Sequence, residues 1–106
     1  MKRKETIKSQ KDFNDLITNG NFHKNKFYVL YYKENKNNNI MYGVAISKKV
    51  GKAHTRNYLK RVTRTIIDNN RNLFKNGFNY IIMIRKSCLE SNFQELNESM
   101  IELLKQ

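Results

Sequence analysis

Proline is absent from this 106-residue chain, so Gly and Asn must shape its turns. The single cysteine, Cys88, excludes an intramolecular disulfide and a cysteine metal cluster, and it reads as buried filler. Acidic residues are scarce, 9 against 21 Lys and Arg, which leaves a net charge of +12. The few carboxylates are dispersed, mostly at element ends or on the last helix, and form no evident acid–base pair. Only two histidines occur, His23 and His54, without the spacing of a metal pair. Both fall in expected loops, where solvation is the ordinary state, although His54 beside a basic helix can reach a phosphate. A phosphate-cradling G-x-x-x-x-G-K run is missing as well. No apolar run approaches the roughly 20 residues that span a bilayer. The basic start, MKRKETIKSQ, lacks the apolar stretch of a secretory signal. These absences argue against a free-standing hydrolase and a membrane protein, and they point to the cytoplasm.

What is present is cationic and periodic. A charge of +12 calls for an anionic partner, nucleic acid ahead of an acidic membrane surface. Apolar residues form 39% of the chain, grouped in periodic runs, which suits one folded domain over residues 1–106. Residues 1–8 read as a mobile basic lead-in carrying Lys2, Arg3, Lys4 and Lys8. Ser9 is placed to cap a short helix with Asp12 in its first turn, Phe13, Leu16 and Ile17 on one face, and Gly20 at its end. Lys26–Lys33 is rich in aromatic and β-branched residues and reads as a strand, with Tyr28, Leu30 and Tyr32 facing one way and Val29 and Tyr31 the other. A polar turn, Glu34–Asn39, leads to a second strand, Ile40–Ser47, most simply antiparallel to the first; Gly43 in it marks a bend or close packing. Thr55 is a candidate cap for a helix running to about Leu73, with Ile67 and Phe74 widening its apolar side. Tyr80–Ile84 is continuously apolar, as in a central strand covered on both faces. Ser91 and Gln94 have capping-box spacing ahead of a last helix with Phe93, Leu96, Met100, Leu103 and Leu104 at helical intervals. The order is α-β-β-α-β-α, an α/β (α+β) sandwich around a small mixed sheet, with Ile40–Ser47 and Tyr80–Ile84 joined in parallel through the middle helix.

The densest signal is Ser47–Arg64, SKKVGKAHTRNYLKRVTR, with Lys48, Lys49, Lys52, Arg56, Lys60, Arg61 and Arg64 and no acid. At about 100° per residue, Arg56, Lys60, Arg64 and Arg61 fall on one flank, with Asn57 among them, opposite Leu59, Val62 and Ile66. Like charges on adjacent turns repel by a few tenths of a kcal/mol per pair. Absent the acids that normally balance such a face, a polyanion lying on it is the simplest compensation. Exposed rings can stack on unpaired bases; the candidates are Phe13, Tyr28, Tyr31 and Tyr32, each of which can instead be core.

The run G-V-A-I-S-K-K-V-G-K-A-x-x-R-N-x-x-K-R resembles the signature of the bacterial ribonuclease P protein subunit. The likeness extends over nearly the whole chain, through K-D-F, V-L-Y-Y and Y-I-I-M-I-R-K. It implies a left-handed β-α-β crossover, rare among proteins, and a chain that binds a catalytic RNA. That RNA removes the 5′ leader of precursor tRNA with bound Mg2+, held mainly by the RNA; the protein aids substrate recognition and lowers the metal requirement. By the same resemblance Arg56, Asn57, Lys60, Arg61 and Arg64, with Lys52, contact the RNA subunit. Phe13, Ile17, Tyr31, Lys48 and Lys49 line a cleft for the single-stranded leader. Tyr58 stands where the family usually has Arg, and Ile17 where an aromatic is common. No catalytic residue or metal ligand is assigned to this chain. The rival readings are another RNA-binding or ribosomal protein, separable by identifying the bound RNA, and a nuclease acting alone, which would cleave precursor tRNA without RNA. A DNA-binding helix-turn-helix fits poorly with strands flanking the basic helix.

Overall fold

The computed structural model describes Thr6, Ile7 and residues 9–106, so the lead-in cations Lys2, Arg3, Lys4 and Lys8 lie outside the described residues. The elements are α1 (Gln10–Asn19), β1 (Asn21–Lys24), β2 (Tyr28–Glu34), β3 (Ile40–Ile46), α2 (Ala53–Asn69), β4 (Phe78–Ile84) and α3 (Phe93–Leu104). One mixed sheet runs β1-β2-β4-β3, with β3 and β4 parallel and the other pairs antiparallel.

The mixed α+β architecture and the parallel β3-α2-β4 unit agree with the sequence reading; the neighbour of β2 does not. β2 and β3 are not hydrogen-bonded partners, because β4 inserts between them. Its apolar run gains two flanks there, and Ile81 and Ile82 are 0% exposed. The polar stretch after β2 therefore crosses the start of β4 rather than closing a hairpin. Asn35 N–H donates to the Gly77 carbonyl at 2.9 Å, and Gly77 N–H donates to that of Asn39 at 2.8 Å. Gly77 sits at φ +85°, a conformation other residues rarely adopt. The short strand β1 was also missed. It pairs with β2 through a turn in which Asn25 Oδ1 accepts from the N–H groups of Phe27 and Tyr28.

One sheet face carries Tyr28, Leu30, Tyr42, Tyr80, Ile82 and Ile84, packed with Leu59, Ile66 and Ile67 of α2 and Leu96, Met100 and Leu103 of α3. Burial of this apolar surface is the main stabilising term. Phe74 stands edge-on to both Tyr42 and Tyr80, 5.0 and 4.9 Å between centroids. The ends of α1 fall where the sequence places them, while those of α2 and α3 differ. Ser9 does cap α1, accepting from Asp12 N–H. α2 starts at Ala53, ahead of Thr55, behind an N-cap Lys52 that makes no side-chain cap bond. It stops at Asn69, because the buried Asn70 amide donates to the Ile66 carbonyl and to Asn97 Oδ1. Asn92, not Ser91, caps α3, accepting from Glu95 N–H at 2.8 Å. Among the described residues no helix is long and apolar enough to cross a membrane.

Candidate nucleic-acid interface

α2 buries Leu59, Thr63, Ile66 and Ile67. The Thr63 hydroxyl is satisfied within the helix, donating to the Leu59 carbonyl at 2.8 Å, so this polar residue can sit in the core. The buried face is thus turned toward Thr63 and Ile67 and away from Val62, which is only half-buried. Arg56 and Lys60 fall in line with Thr63 and Ile67 at helical spacing, which puts both on the seam between helix and core, half-buried. Arg56 Nε is buried and makes no hydrogen bond. Lys52, Asn57, Tyr58, Arg61 and Arg64 are exposed. The flank is therefore graded, from stems packed along the seam to free guanidinium groups.

Lys48 and Lys49 lie just ahead of α2, in a 3-10 turn that begins where β3 ends. Ser47 Oγ fixes that turn by accepting from Lys49 N–H at 3.2 Å, and both lysines are exposed. Among the described residues, none of the seven cations from Lys48 to Arg64 pairs with a carboxylate. The chain does form such a pair elsewhere: Lys33 Nζ lies 2.8 Å from Asp15 Oδ2. That hydrogen bond, seconded by Asn19, holds the Asp15 carboxyl below its ordinary value.

The other sheet face is only partly covered. Its side chains fall into rows set by register. One row is Gly43, Ile81, Tyr31 and Phe22, and the next is Ala45, Met83, Val29 and Lys24, each running from β3 to β1. α1 lies across the first row. Phe13 sits on Gly43, where a Cβ would come within 3.3 Å of its ring, and Leu16 packs near Gly20 beside β2. Exposure then rises along that row: Ile81 is fully buried, Tyr31 half-buried, and Phe22 56% exposed. Ala45, Met83 and Val29 of the second row form a half-buried apolar floor that ends at the exposed Lys24, and Ile17 is half-buried on the helix. Phe13, Ile17 and Tyr31 thus share the α1 side of the sheet.

The two regions meet at the β3 edge. A cavity of about 380 Å³ there is lined by Thr6, Ile7, Phe13, Gly43, Val44 and Arg64, so a cation of α2 and a ring of α1 border the same space. Ile7 N–H donates to the Tyr42 carbonyl at 2.7 Å, so this part of the expected mobile lead-in is tied to β3. Such a groove can hold a phosphate beside a stacked base.

Several candidates lie elsewhere. Tyr28 is fully buried, and burial pushes its phenol up. Tyr32 faces the core side, its ring 5.1 Å from that of His23 and its hydroxyl 3.1 Å from His23 Nε2. His23 is therefore a strand residue with a partner, not a solvated loop histidine. Cys88 is buried as expected, its thiol pushed up to about 11 by desolvation. Phe22, Lys24 and Arg85 escaped the sequence reading. Arg85, exposed just after β4, donates from Nη1 to the Asn25 carbonyl at 2.7 Å and ties the β1–β2 turn to that end of the sheet. The available signal was the alternation of Phe22 and His23 against Tyr31 and Leu30.

The sequence profile of the family described as Ribonuclease P matches residues 1–106. The ribonuclease P protein component of Mycoplasma mycoides subsp. mycoides is 36% identical over 107 residues, covering 100% of this chain and 98% of that protein. The RNase P protein from Thermotoga maritima superposes with a TM-score of 0.85 at 27% identity, covering 95% of this chain and 96% of that one. A mutant of the Staphylococcus aureus RNase P protein gives a TM-score of 0.89 at 25% identity, covering 97% and 87%.

Proposed function

The chain belongs to the family of bacterial ribonuclease P protein components, subunits of the tRNA 5′-processing endoribonuclease, and from that premise we propose how its surface serves the reaction. The α2 flank docks the catalytic RNA: Lys52, Arg56, Asn57, Lys60, Arg61 and Arg64 neutralise phosphates that would otherwise repel where ribozyme and substrate meet. The α1 groove takes the single-stranded 5′ leader of precursor tRNA. Phe13 and Tyr31 stack on bases, Ile17 adds apolar contact, and Lys48 and Lys49 hold the leader backbone at the end of β3. Recognition of this kind is largely independent of leader sequence, since every base offers a face.

Among the described residues no three His, Cys, Asp or Glu stand together as a metal site. In this reading hydrolysis and its Mg2+ belong to the RNA subunit. The protein acts by position and charge: it places cations beside crowded phosphates and so reduces the need for free metal. It works in this reading as one RNA-binding domain in the cytoplasm, without membrane or DNA.

The observation that carries this proposal is the meeting of Arg64 with Phe13 across the cavity at the β3 edge. A strand leaving the docked ribozyme passes from the cations into the groove without crossing covered surface. The test is the affinity of the reconstituted holoenzyme for precursor against mature tRNA. Tighter binding of the precursor is expected, and equal affinity refutes the leader groove.

A further inference from the structure

Phe22 is the most exposed ring on the groove face of the sheet, and the leader groove as far as Tyr31 leaves it without a task. It lies on β1, the sheet edge opposite β3. Its ring centroid is 6.0 Å from that of Tyr31 and tilted by 46°, and it remains 56% exposed. Lys24 shares its side of the strand two residues on and is exposed. α1 runs from Phe13 over β3 to Leu16 and Gly20 beside β2, so the groove beside it crosses the strands and ends at β1. Three strand spacings, about 14 Å in all, separate its two ends. That span has room for more than one nucleotide.

We propose that Phe22 and Lys24 form a terminal leader subsite, in which the leader base farthest from the cleavage point stacks on Phe22 while Lys24 meets its phosphate. This rests on the leader reading above and extends it to the opposite edge of the sheet. Direction follows from the fold: α2 and its cations stand at the β3 end, so a leader entering there reaches Tyr31 before Phe22. An apolar ring exposed beside a lysine, facing the same way as the groove floor, suits a base and its phosphate. A cross-strand pair with Tyr31 also steadies the hairpin, so the test must separate stacking from folding.

Precursor tRNAs with leaders lengthened one nucleotide at a time are titrated with holoenzyme containing wild-type protein, Phe22→Ala or Phe22→Tyr. With wild type, affinity rises stepwise and then levels off. Phe22→Ala removes the last step, about fivefold to tenfold for one exposed stack, and leaves the shortest leaders unchanged; Phe22→Tyr retains that step. A full length profile in Phe22→Ala overturns the subsite, as does an equal loss for every leader and for mature tRNA, which marks a folding role. If wild type itself shows no dependence on leader length, the leader groove fails and the subsite with it.

Discussion

Gly43→Val perturbs the point where α1 rests on the sheet. A Cβ there would stand 3.3 Å from Phe13 Cε2 and 3.3 Å from Ile81 Cγ1, several tenths of an ångström inside ordinary carbon contact. Valine adds two further methyls. Ile81 cannot yield, being fully buried on a strand paired on both sides. Phe13, half-buried in the first turns of α1, is the side that moves. Overpacking of this kind costs about 1–3 kcal/mol, offset by up to about 1 kcal/mol from the loss of glycine's freedom in the unfolded chain and valine's strand preference. The middle of these ranges is a net loss of about 1–2 kcal/mol, or roughly 4–16 °C in Tm for a domain of this size. Urea unfolding should show a lower midpoint with unchanged slope. Because Phe13 is displaced from the groove, the preference for precursor over mature tRNA should fall in the same variant. A Gly43→Val protein with wild-type stability and undiminished leader preference would show that α1 does not close on Gly43 as described.

Leu59→Ala or Ile66→Ala should cost about 2–5 kcal/mol in urea unfolding, since both are buried under the sheet, whereas Arg61→Ala should change stability by less than about 0.5 kcal/mol and weaken RNA association. With about five cations engaged, log K for the RNA subunit should fall against log salt with a slope of roughly −3 to −5; a flat salt titration contradicts phosphate docking. The Cys88 thiol, raised from 9.0 to about 11 by burial, keeps its proton in the folded state after the unfolded chain has lost it. Its contribution is therefore full below about pH 9 and declines toward about pH 11. The stability gap between wild type and Cys88→Ala should narrow over that window, and a constant gap would contradict the assigned burial.

The cationic helix was legible because its signal is one-dimensional: four bases from Arg56 to Arg64 on a 3.6-residue period, three more just ahead of the helix, and no acid among them. The sheet order was not, although the clue was present. The Tyr80–Ile84 run demands strand neighbours on both sides, which is incompatible with β2 and β3 pairing directly; adjacency in the chain favours a hairpin, and burial of β4 overrides it. β1 escaped because four residues, NFHK, carry little periodicity of their own and are held by pairing with β2. The seam position of Arg56 and Lys60 depends on Thr63 entering the core, which its bond to the Leu59 carbonyl permits and which hydrophobicity alone does not suggest. Phe13, Tyr31 and Gly43 were individually visible, but their shared row is a product of register. Phe22 became visible only once β1 was paired.

The most direct test of the account is 5′ maturation of precursor tRNA by ribonuclease P RNA at low magnesium, with wild-type protein or with Lys60→Ala, Arg61→Ala and Arg64→Ala combined, folding of each being checked by urea unfolding. Wild-type protein should restore cleavage, and the folded triple variant should not. Equal stimulation by both would show that the unpaired cations of α2 are not what the ribozyme docks on.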